Sequence, residues 1–549
     1  MSAHAVAPKP ASAGTQWLVA KGYKNQLRRN YLLQLVDDSA QEYAAQTALE
    51  KAAFAATRYA NWREHGILPV RIFSILLLNW LQAGHILGYQ GQASRDAHQH
   101  AARSQFKLDL GFTYAGLQAL GAHTQLLDLC KRLAPAFSEG ADLRAARCLG
   151  DSGLSDPAYW HSRYRKQASH VVLIAHAAAA NADAAWLALE SHIEAQFMHA
   201  DTGTLGKPAP ILQAEWIEQS CILSDATPSA IHFGMTDSIS APEFTGLLTT
   251  KGLSKTPLLK PHALGELLLG HERDDRSNAW LWPTAQPQAS ANVEPRPYPE
   301  RKAYADFFKN ASFAALRKMQ QNVDAFENYL TQQVALVPEN WPESYKRAWL
   351  KAKMLGRWAN GEPVQNDNDG PIAMRLTAKQ TERMQPAVKA AIIKNDFVYK
   401  EDRLGLGCPI GAHVRRMNPR DDPVVPFLRR PLLRRGVAYG ASDANEKGLL
   451  GLFFCASLEE QFEHLLGKWS NDSPMGMPQS PSENDPLIGV HDGPKPQFSI
   501  PTAKGTVTLQ NLPDFVQTLG TLYALFPSVD ALQKIAEGKL ASYTVFVAA

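Results

Sequence analysis

The chain has 549 residues, of which 45% are hydrophobic and 20% are charged, and its formal net charge is +3 at pH 7. This length is enough for at least two domains with large cores. A charge so close to neutrality argues against a general nucleic-acid binder, which carries a strong positive excess.

Three features predict a soluble protein of a reducing compartment, which we expect to be the cytoplasm. The five cysteines are odd in number, widely spaced and without a CxxC pair, so we interpret them as unpaired thiols. The first residues lack a charged segment followed by an apolar one, so no signal peptide is predicted. The strongest apolar run, Phe73 to Leu81, is too short to cross a bilayer, and no membrane association is expected.

The first half of the chain alternates between strands and helices after an Ala/Pro-rich beginning that predicts a flexible tail. The predicted strands are short apolar or β-branched runs at 31–37, at the start of 112–121 and at 171–177. Helices are predicted through residue 60, in the rest of 112–121 and after residue 177. Loops are predicted at 88–104 and 149–160.

Residues 224–300 are rich in Pro, Ser, Thr and Gly and predict an irregular connection. In the half that follows, helices are predicted at about 300–334, at 342–358, near 377–393 and at 457–469. Strands are predicted at 435–440 and 449–455, and loops at 360–371 and 471–486. The alternation predicts two α+β halves.

Several motif-like stretches do not carry their usual chemistry. Residues 405–411 read GxGxxxG, with Pro409 in the middle and no long apolar strand before them, so a dinucleotide loop is not predicted. His98 and His100 could bind a metal, but such a histidine pair is more typical of a solvated loop. The arginine run at 427–436 lacks interleaved aromatic residues, so it is either a solvated basic patch or the source of one arginine in an anionic site.

The segment GCPIGAHVRRMNPRDD, residues 407–422, holds a single histidine on a braced backbone. Pro409 and Pro419 restrict the chain on either side of His413. A lone histidine is by default a core or surface residue. A histidine on a rigid segment near clustered arginines suits haem better, because haem iron binds imidazole and haem propionates bind arginine.

A second concentrated stretch is HFGMTDSISAPEF, residues 232–244. Asp237 lies between Gly234 and a serine-rich turn that Pro242 closes. Composition alone favours an Asx-turn or a helix cap for this aspartate.

These segments carry a family resemblance that extends over nearly the whole chain: the sequence resembles the dye-decolorizing peroxidases. GCPIGAHVRRMNPRDD is similar to the family's proximal-histidine motif CPxxAHxRxxNPR, LLRRGVAYG (432–440) to its RRGxxYG stretch, and HFGMTDSISAP to its FGxxDGxSxP motif. Further similar stretches follow in the expected order at 112–121, before residue 160, and at 310–326, 352–363, 449–469 and 485–489.

The resemblance implies an α+β fold of two ferredoxin-like halves, the dimeric α+β barrel type, with antiparallel sheets and peripheral helices. We predict a flexible tail over 1–15, an N-terminal half over 16–245 that ends in the distal Asp segment, an irregular connection over 246–300 and a C-terminal half over 301–549. The resemblance places heme b (iron protoporphyrin IX) in a cavity of the C-terminal half.

The resemblance also implies a haem-dependent peroxidase that reduces hydrogen peroxide while oxidising bulky aromatic or dye-like one-electron donors. His413 would be the axial iron ligand, Asp237 and Arg434 would act on peroxide, and Arg434 and Arg415 would contact the cofactor. A carboxylate is expected to hold the second ring nitrogen of His413. The sequence leaves four candidates open: Asp485, Glu459, Glu460 and Glu463.

One position departs from the family pattern, because Ser238 stands where the distal motif has glycine. The alternative function is therefore a haem-binding protein of the same fold with weak or no peroxidase activity. A cofactor-free interaction protein is less expected, because His413, Asp237 and Arg434 are all retained. No role follows for the apparent insertions at 65–105 and 471–484, no nanocompartment-docking tail is predicted, and the oligomeric state is open.

Overall fold

The computed structural model describes residues 12–20, 23, 26–35, 68–89, 105–166, 168–199, 217–221, 223, 230–237, 239–247, 261–277, 280, 306–338, 340–366, 395–422, 430–471, 483–492 and 496–540. The strands within these residues are β1 (Gln26–Leu33), β2 (Lys107–Phe112), β3 (Val171–Ala178), β4 (Ile217–Gln219), β5 (Ala230–Ile231), β6 (Met235–Thr236), β7 (Ser312–Gln321), β8 (Leu433–Arg434), β9 (Val437–Tyr439), β10 (Gly448–Cys455), β11 (Gln497–Thr502), β12 (Gly505–Gln510) and β13 (Val516–Phe526). The α-helices are Trp17–Ala20, Leu68–Gln82, Tyr114–Ala119, Thr124–Leu133, Pro135–Glu139, Ala141–Arg144, Ala182–His199, Val323–Gln333, Glu343–Leu355, His413–Met417 and Val529–Ala536, with wider π-type turns at Ala145–Leu149, Leu458–Glu463 and Leu465–Ser470.

Most strands form one antiparallel sheet that consists of two groups of four. The order across the sheet is β4-β1-β3-β2 and then β13-β7-β10-β8, with β9 also paired to β10. When the four strands of each group are renumbered 1 to 4 in chain order, both groups have the order 4-1-3-2. This is the strand order of a ferredoxin-like sheet. The predicted fold class, two ferredoxin-like α+β halves with antiparallel sheets, is confirmed.

The two groups meet along a short seam between β2 and β13. One residue pair, Phe112 with Leu525, joins these strands in antiparallel register. Both side chains are fully buried and belong to the largest apolar cluster of the described residues. The seam therefore joins the two halves by backbone pairing and by a shared core.

The segment Ser312–Gln321 corrects the sequence prediction of a helix over 300–334. Alanine, leucine, arginine, lysine, methionine and glutamine favour helix, which explains the prediction. The segment is instead the strand β7, which pairs along its length with β10 on one side and β13 on the other. Burial between two neighbouring strands decides the conformation here against local propensity.

The stretch at 65–105 is not simply an insertion, as the sequence had suggested. Leu68–Gln82 forms a helix between β1 and β2, the place where a ferredoxin-like half has its first helix. Leu76, Leu77 and Trp80 are buried, and the helix packs against Ala182–His199 and Val529–Ala536. Part of the stretch therefore belongs to the fold itself.

The helix Glu343–Leu355 and the strands β3 and β10 confirm predicted elements, and β1 begins and ends earlier than the predicted strand 31–37. The hairpin β11–β12 was not predicted; it packs in a second apolar cluster with Phe326 and Leu350. The predicted helix near 377–393, the helix through residue 60, and most of 1–15, 88–104, 248–305 and 471–484 lie outside the described residues.

All five cysteines lie in the described part of the chain, and all five are free thiols. Within the same residues, no helix combines the length and the apolar character that crossing a bilayer requires.

Candidate functional site

A cavity of about 310 Å³ lies beside the strands β7 and β10. Its wall is largely apolar and comes from the segment before Asp237, from β10, from the turns at Leu458–Ser470 and from Leu487 and Ile488. His413, Asp237 and Arg434, which are far apart in sequence, all line this cavity. Its volume is within the range of cofactor and small-molecule pockets.

His413 begins the short helix His413–Met417, and its ring is fixed by one carboxylate. Nδ1 lies 2.8 Å from Oδ2 of Asp485, whose side chain is completely buried. The other oxygen of Asp485 accepts hydrogen bonds from the backbone N–H groups of Leu487 and Ile488. With Nδ1 engaged in this way, Nε2 is the ring nitrogen left for a ligand in the cavity.

The electrostatic surroundings keep Asp485 ionised. Burial by itself would raise the pKa of this carboxyl, but His413, Arg416 and the N–H of Leu487 together lower it below its usual value. A charged carboxylate on Nδ1 increases the basicity of the imidazole at Nε2.

The other three carboxylates that the sequence left open have partners elsewhere. Glu463 binds both guanidinium ends of Arg144 at 2.6 Å and also accepts from Tyr523. Glu459 accepts from the backbone of Ala136, and Glu460 pairs with Arg273. Among the four candidates, Asp485 is therefore the one in contact with His413.

Arg415 has a different place from the one expected. It does not line the cavity, and its guanidinium is buried. Its guanidinium donates hydrogen bonds to Asp422 at 2.8 Å, to Asp402 and to the carbonyl of Cys408 at 2.7 Å. This arrangement holds the residues before and after His413 together, so the geometry favours a bracing role for Arg415 and not contact with a cofactor.

Asp237 and Arg434 approach each other on the cavity wall. Nη1 of Arg434 lies 3.6 Å from Oδ1 of Asp237, and Nη2 donates to the carbonyl of Ser240 at 3.3 Å. Both side chains are partly exposed to the cavity and solvent, at 40% for Arg434 and 30% for Asp237. Gly436 lies beside the same carboxylate, and a Cβ there would stand 3.7 Å from Oδ2 of Asp237.

The backbone around both residues is anchored to the other half of the molecule. Arg435, next to Arg434, donates to the carbonyls of Leu18 and Val19. Arg28 of β1 donates in turn to the carbonyl of Arg435. On the Asp237 side, Thr236 donates through both its N–H and its hydroxyl to the carbonyl of Ala359. The pair is therefore held by contacts that cross between the halves.

Among the further arginines that line the cavity, Arg357 and Arg420 share one partner, and the sequence analysis had not singled out either of them. Arg357 and Arg420 both donate to Oδ1 of Asn395, whose amide nitrogen donates to the hydroxyl of Ser240 at 3.2 Å. Burial lowers the pKa of Arg357 to about 9, with Arg420 and Arg434 adding to the effect. Nε of Arg420 is buried without a hydrogen-bond partner among the described residues. Closely spaced buried cations around a neutral amide form a site for an anionic group.

The described residues contain no group of three or more His, Cys, Asp or Glu that could hold a metal ion. His98 and His100 lie outside them.

No family model matches this chain. Individual proteins do, however. Peroxidase 2 of Mycetinis scorodonius is 26% identical over 451 residues, which cover 78% of this chain and 75% of that protein. The dye-decolorizing peroxidase msp1 of the same organism is 24% identical over 459 residues, with 78% and 76% covered. The multifunctional dye peroxidase DyP2 of Amycolatopsis sp. is 25% identical over 455 residues, with 78% and 82% covered.

Over most of its length the chain is similar to dye-decolorizing peroxidases.

Solved structures of dye-decolorizing peroxidases share the fold. An ancestral D-type member aligns with a TM-score of 0.65 at 21% identity over 95% of this chain and 98% of that one. A mutant of the enzyme from Pleurotus ostreatus aligns equally well at 19% identity, with 95% and 98% covered. At such identities the likeness establishes the fold alone.

The sequence did contain a signal for Arg420. Arg420 is the last residue of the CPxxAHxRxxNPR motif that also contains His413 and Arg415. Of the two motif arginines, sequence reasoning chose Arg415, whereas the structure turns Arg420 toward the cavity. Motif membership does not distinguish an arginine that braces a loop from one that lines a site.

Proposed function

We propose that the chain is a haem-dependent peroxidase that reduces hydrogen peroxide while it oxidises bulky aromatic or dye-like one-electron donors, with heme b as its cofactor. The observation that carries the proposal is the joint presence in one cavity of His413, backed by the buried Asp485, and of the ion pair between Asp237 and Arg434. The names of its relatives support the proposal, because one is a peroxidase and two are dye-decolorizing peroxidases.

The residues present fit a haem. Nε2 of His413 would bind the haem iron, because Nδ1 is occupied by Asp485. The apolar wall suits the porphyrin ring, and Arg420, whose Nε is buried and unpartnered among the described residues, would hold a carboxylate of the haem together with Arg357. When bound, the haem supplies the iron that reacts with peroxide and passes on electrons from the donor.

The protein's own contribution is to position groups and to move a proton. Asp485 fixes the orientation of the His413 ring and strengthens its basicity at Nε2. Asp237 is proposed to accept a proton from the nearer oxygen of peroxide and to deliver it to the departing oxygen. Arg434, which is permanently charged, would stabilise the negative charge that develops as the O–O bond breaks.

The alternative function, a haem-binding protein with weak or no peroxidase activity, rests on Ser238. This residue lies outside the described residues, so its effect on Asp237 is argued from the sequence departure alone. Ser238→Gly provides the direct comparison. A strong rise in turnover would identify the serine as the limiting feature, and an unchanged turnover would remove the reason for the alternative.

The first experiment is the absorbance spectrum of the protein supplied with haem, before and after one equivalent of peroxide. A peroxidase should show a Soret band that shifts within seconds. A Soret band that ignores peroxide would favour the alternative, and the absence of any Soret band would refute haem binding through His413.

We also propose a cytoplasmic location. The five free thiols support a reducing compartment, because pairs of cysteines in an oxidising one tend to form disulfides.

A further inference from the structure

Arg28 of β1 is a buried arginine that reaches from the first half of the molecule into the second. Its relative exposure is 1%. Both of its described side-chain hydrogen bonds go to backbone carbonyls: Nη1 donates to Arg435, and Nη2 donates to Leu450 at 2.8 Å. A guanidinium suits this place because its rigid, planar fork can donate in two directions at once.

The guanidinium of Arg28 stays charged although it is buried. Burial lowers its pKa to about 10, while Tyr164 and Glu218 act in the opposite direction. A group with this pKa is protonated at neutral pH. Because hydrogen bonds from a charged donor are stronger than those between neutral groups, Arg28 holds its two carbonyls firmly.

The carbonyl of Arg435 lies where the strand of Arg434 is interrupted. β8 ends at Arg434 and β9 begins at Val437, and both strands pair with β10. Arg435 is in the gap between them, where its N–H donates to the carbonyl of Leu452 at 2.8 Å and its own carbonyl accepts from Arg28. Arg28 thus ties the peptide that follows Arg434 to β10.

The backbone of Arg28 is fixed against the same region. Its N–H donates to the hydroxyl of Ser220 at 2.7 Å, and Ser220 forms an antiparallel bridge with Tyr439 of β9. The N–H of Cys221 donates to the carbonyl of Ala438 at 2.8 Å. Arg28 is therefore held at its backbone as well as at the tip of its side chain.

The guanidinium of Arg434, in contrast, has only long contacts of its own. Nη1 is 3.6 Å from Oδ1 of Asp237, and Nη2 is 3.3 Å from the carbonyl of Ser240. The side chain is 40% exposed, so packing does not fix it either. Its place in the cavity depends mainly on where its backbone lies.

We propose that Arg28 is a positioning residue for Arg434: by holding the carbonyl of Arg435, it sets where the guanidinium of Arg434 lies in the cavity. The inference rests on the proposed peroxidase function, in which Arg434 stabilises the charge that develops on peroxide. Arg28 does not line the cavity, so its effect on the reaction should pass through Arg434.

The test measures the rate of the peroxide reaction by stopped-flow absorbance in haem-loaded wild type and variants. Arg28→Met removes the charged donor and keeps an extended side chain. It should retain haem, because His413 is untouched, and react about 10- to 100-fold more slowly, the effect of a catalytic group displaced by about 1 Å. Arg28→Lys keeps a charged donor without the fork, so its loss should be smaller.

A double variant separates positioning from a general loss of structure. In the Arg434→Leu background no guanidinium is left to position, so the addition of Arg28→Met should change the peroxide rate by less than about twofold. If Arg28 only supported the fold, the losses of the two single variants would multiply.

Arg144→Met is the matched control. Arg144 is also a buried arginine that connects the halves, through hydrogen bonds to Glu463 at 2.6 Å, and it does not line the cavity. Like Arg28→Met, this variant should lower the midpoint of urea unfolding. Its peroxide rate should nevertheless stay within about twofold of wild type, because the site is independent of Arg434.

The outcomes are distinct. An Arg28→Met protein that keeps haem and reacts at the wild-type rate would overturn the inference, and so would a loss that persists in full in the Arg434→Leu background. Should Arg28→Met not fold, the same two criteria apply to Arg28→Lys. A haem-loaded wild type that does not react with peroxide would overturn the proposed function itself, and this inference with it.

Discussion

Nδ1 of His413 and Oδ2 of Asp485 lie 2.8 Å apart, and Asp485 has no exposed surface. The carboxylate is kept charged by His413, Arg416 and backbone N–H groups, although burial opposes its ionisation. The sequence left four carboxylates open as the partner of His413. In the structure the partner is Asp485, which supports the ring proposed to bind the haem iron.

Asp485→Asn should therefore change the electronic character of the iron without removing haem. The substitution keeps the size of the side chain and removes its charge, so His413 becomes a weaker donor. We expect the reduction potential to rise and the reaction with peroxide to slow by about 10- to 100-fold. Potentiometric titration and stopped-flow absorbance measure the two effects. Asp514→Asn, at the aspartate 3.4 Å from His491, is the matched control, and an unchanged potential in Asp485→Asn would contradict the assignment.

His413→Ala should lose most of its haem, because the proposed axial bond is removed. The ratio of Soret to protein absorbance after purification with haem measures this loss. Imidazole added to the variant should restore part of the haem binding by occupying the space of the deleted ring. His491→Ala removes a histidine whose side chain is 3% exposed and which does not line the cavity, and this variant should retain haem. Full haem content in His413→Ala would rule out this ligand.

Asp237→Asn and Arg434→Leu should each keep haem and slow the peroxide reaction by about 10² to 10⁴, the range for a lost proton-transfer or charge-stabilising group. Because the two side chains are 3.6 Å apart, the double variant should lose less than the product of the single losses. Stopped-flow rates with the exposed-residue control Arg147→Leu test this. Wild-type rates in both single variants would show that the distal assignment is wrong.

Arg420→Leu should weaken haem binding more than it lowers the rate of the peroxide reaction. Arg420 lines the cavity, and its Nε has no hydrogen-bond partner among the described residues. Its other guanidinium nitrogens donate hydrogen bonds to Tyr399 and Asn395. The rate of haem transfer to apomyoglobin measures retention, and it should increase. Arg403→Leu, at an exposed arginine of the same region, should transfer haem at the wild-type rate, and equal rates in the two variants would exclude a role for Arg420.

Glu218 predicts a pH dependence of stability. Burial raises its pKa, and Lys318, whose Nζ is 3.4 Å from the carboxylate, lowers it only in part. A folded-state pKa above the unfolded one means that the folded state binds more protons between the two values. The contribution of Glu218 to stability is therefore present below the unfolded pKa and lost as pH rises through the folded pKa.

The comparison of wild type with Glu218→Gln isolates this effect. The difference in unfolding free energy, wild type minus variant, should fall by up to about 1.4 kcal/mol per pH unit above pH 4.5 and then level off. Urea titrations at a series of pH values provide the measurement. A difference that is constant with pH would show that Glu218 titrates alike in both states.

The sequence motifs singled out three residues of the candidate site because these lie in short, distinctive segments. His413, Asp237 and Arg434 each occur in such a segment, and the structure brings all three to one cavity. The sequence alone could not identify Asp485 as the partner of His413, because the two residues lie in different segments. Glu459, Glu460 and Glu463 also carry carboxylates that could accept the same hydrogen bond. Only the tertiary pairing of those glutamates with Arg144, Ala136 and Arg273 separates them.

Local composition failed where burial overrode it. Ser312–Gln321 has the residues of a helix and forms a central strand, because hydrogen bonding to two neighbours and packing on both faces outweigh small differences in propensity. The helix Leu68–Gln82 was overlooked because its unbroken apolar run was considered only as a membrane span. Its place between β1 and β2 becomes clear once the strand order of the half is known.

The seam between β2 and β13 has a consequence for how the protein is made. Among the described residues, β13 is the last strand of the sheet, and its Leu525 pairs with Phe112 in the first half. On the ribosome β2 emerges long before β13, so the edge of β2 remains without this neighbour until residues 516–526 have been translated. An unpaired strand edge is open to pairing with other chains. The nascent first half thus requires protection until its final strand arrives, and truncation before residue 516 would leave that edge permanently uncovered.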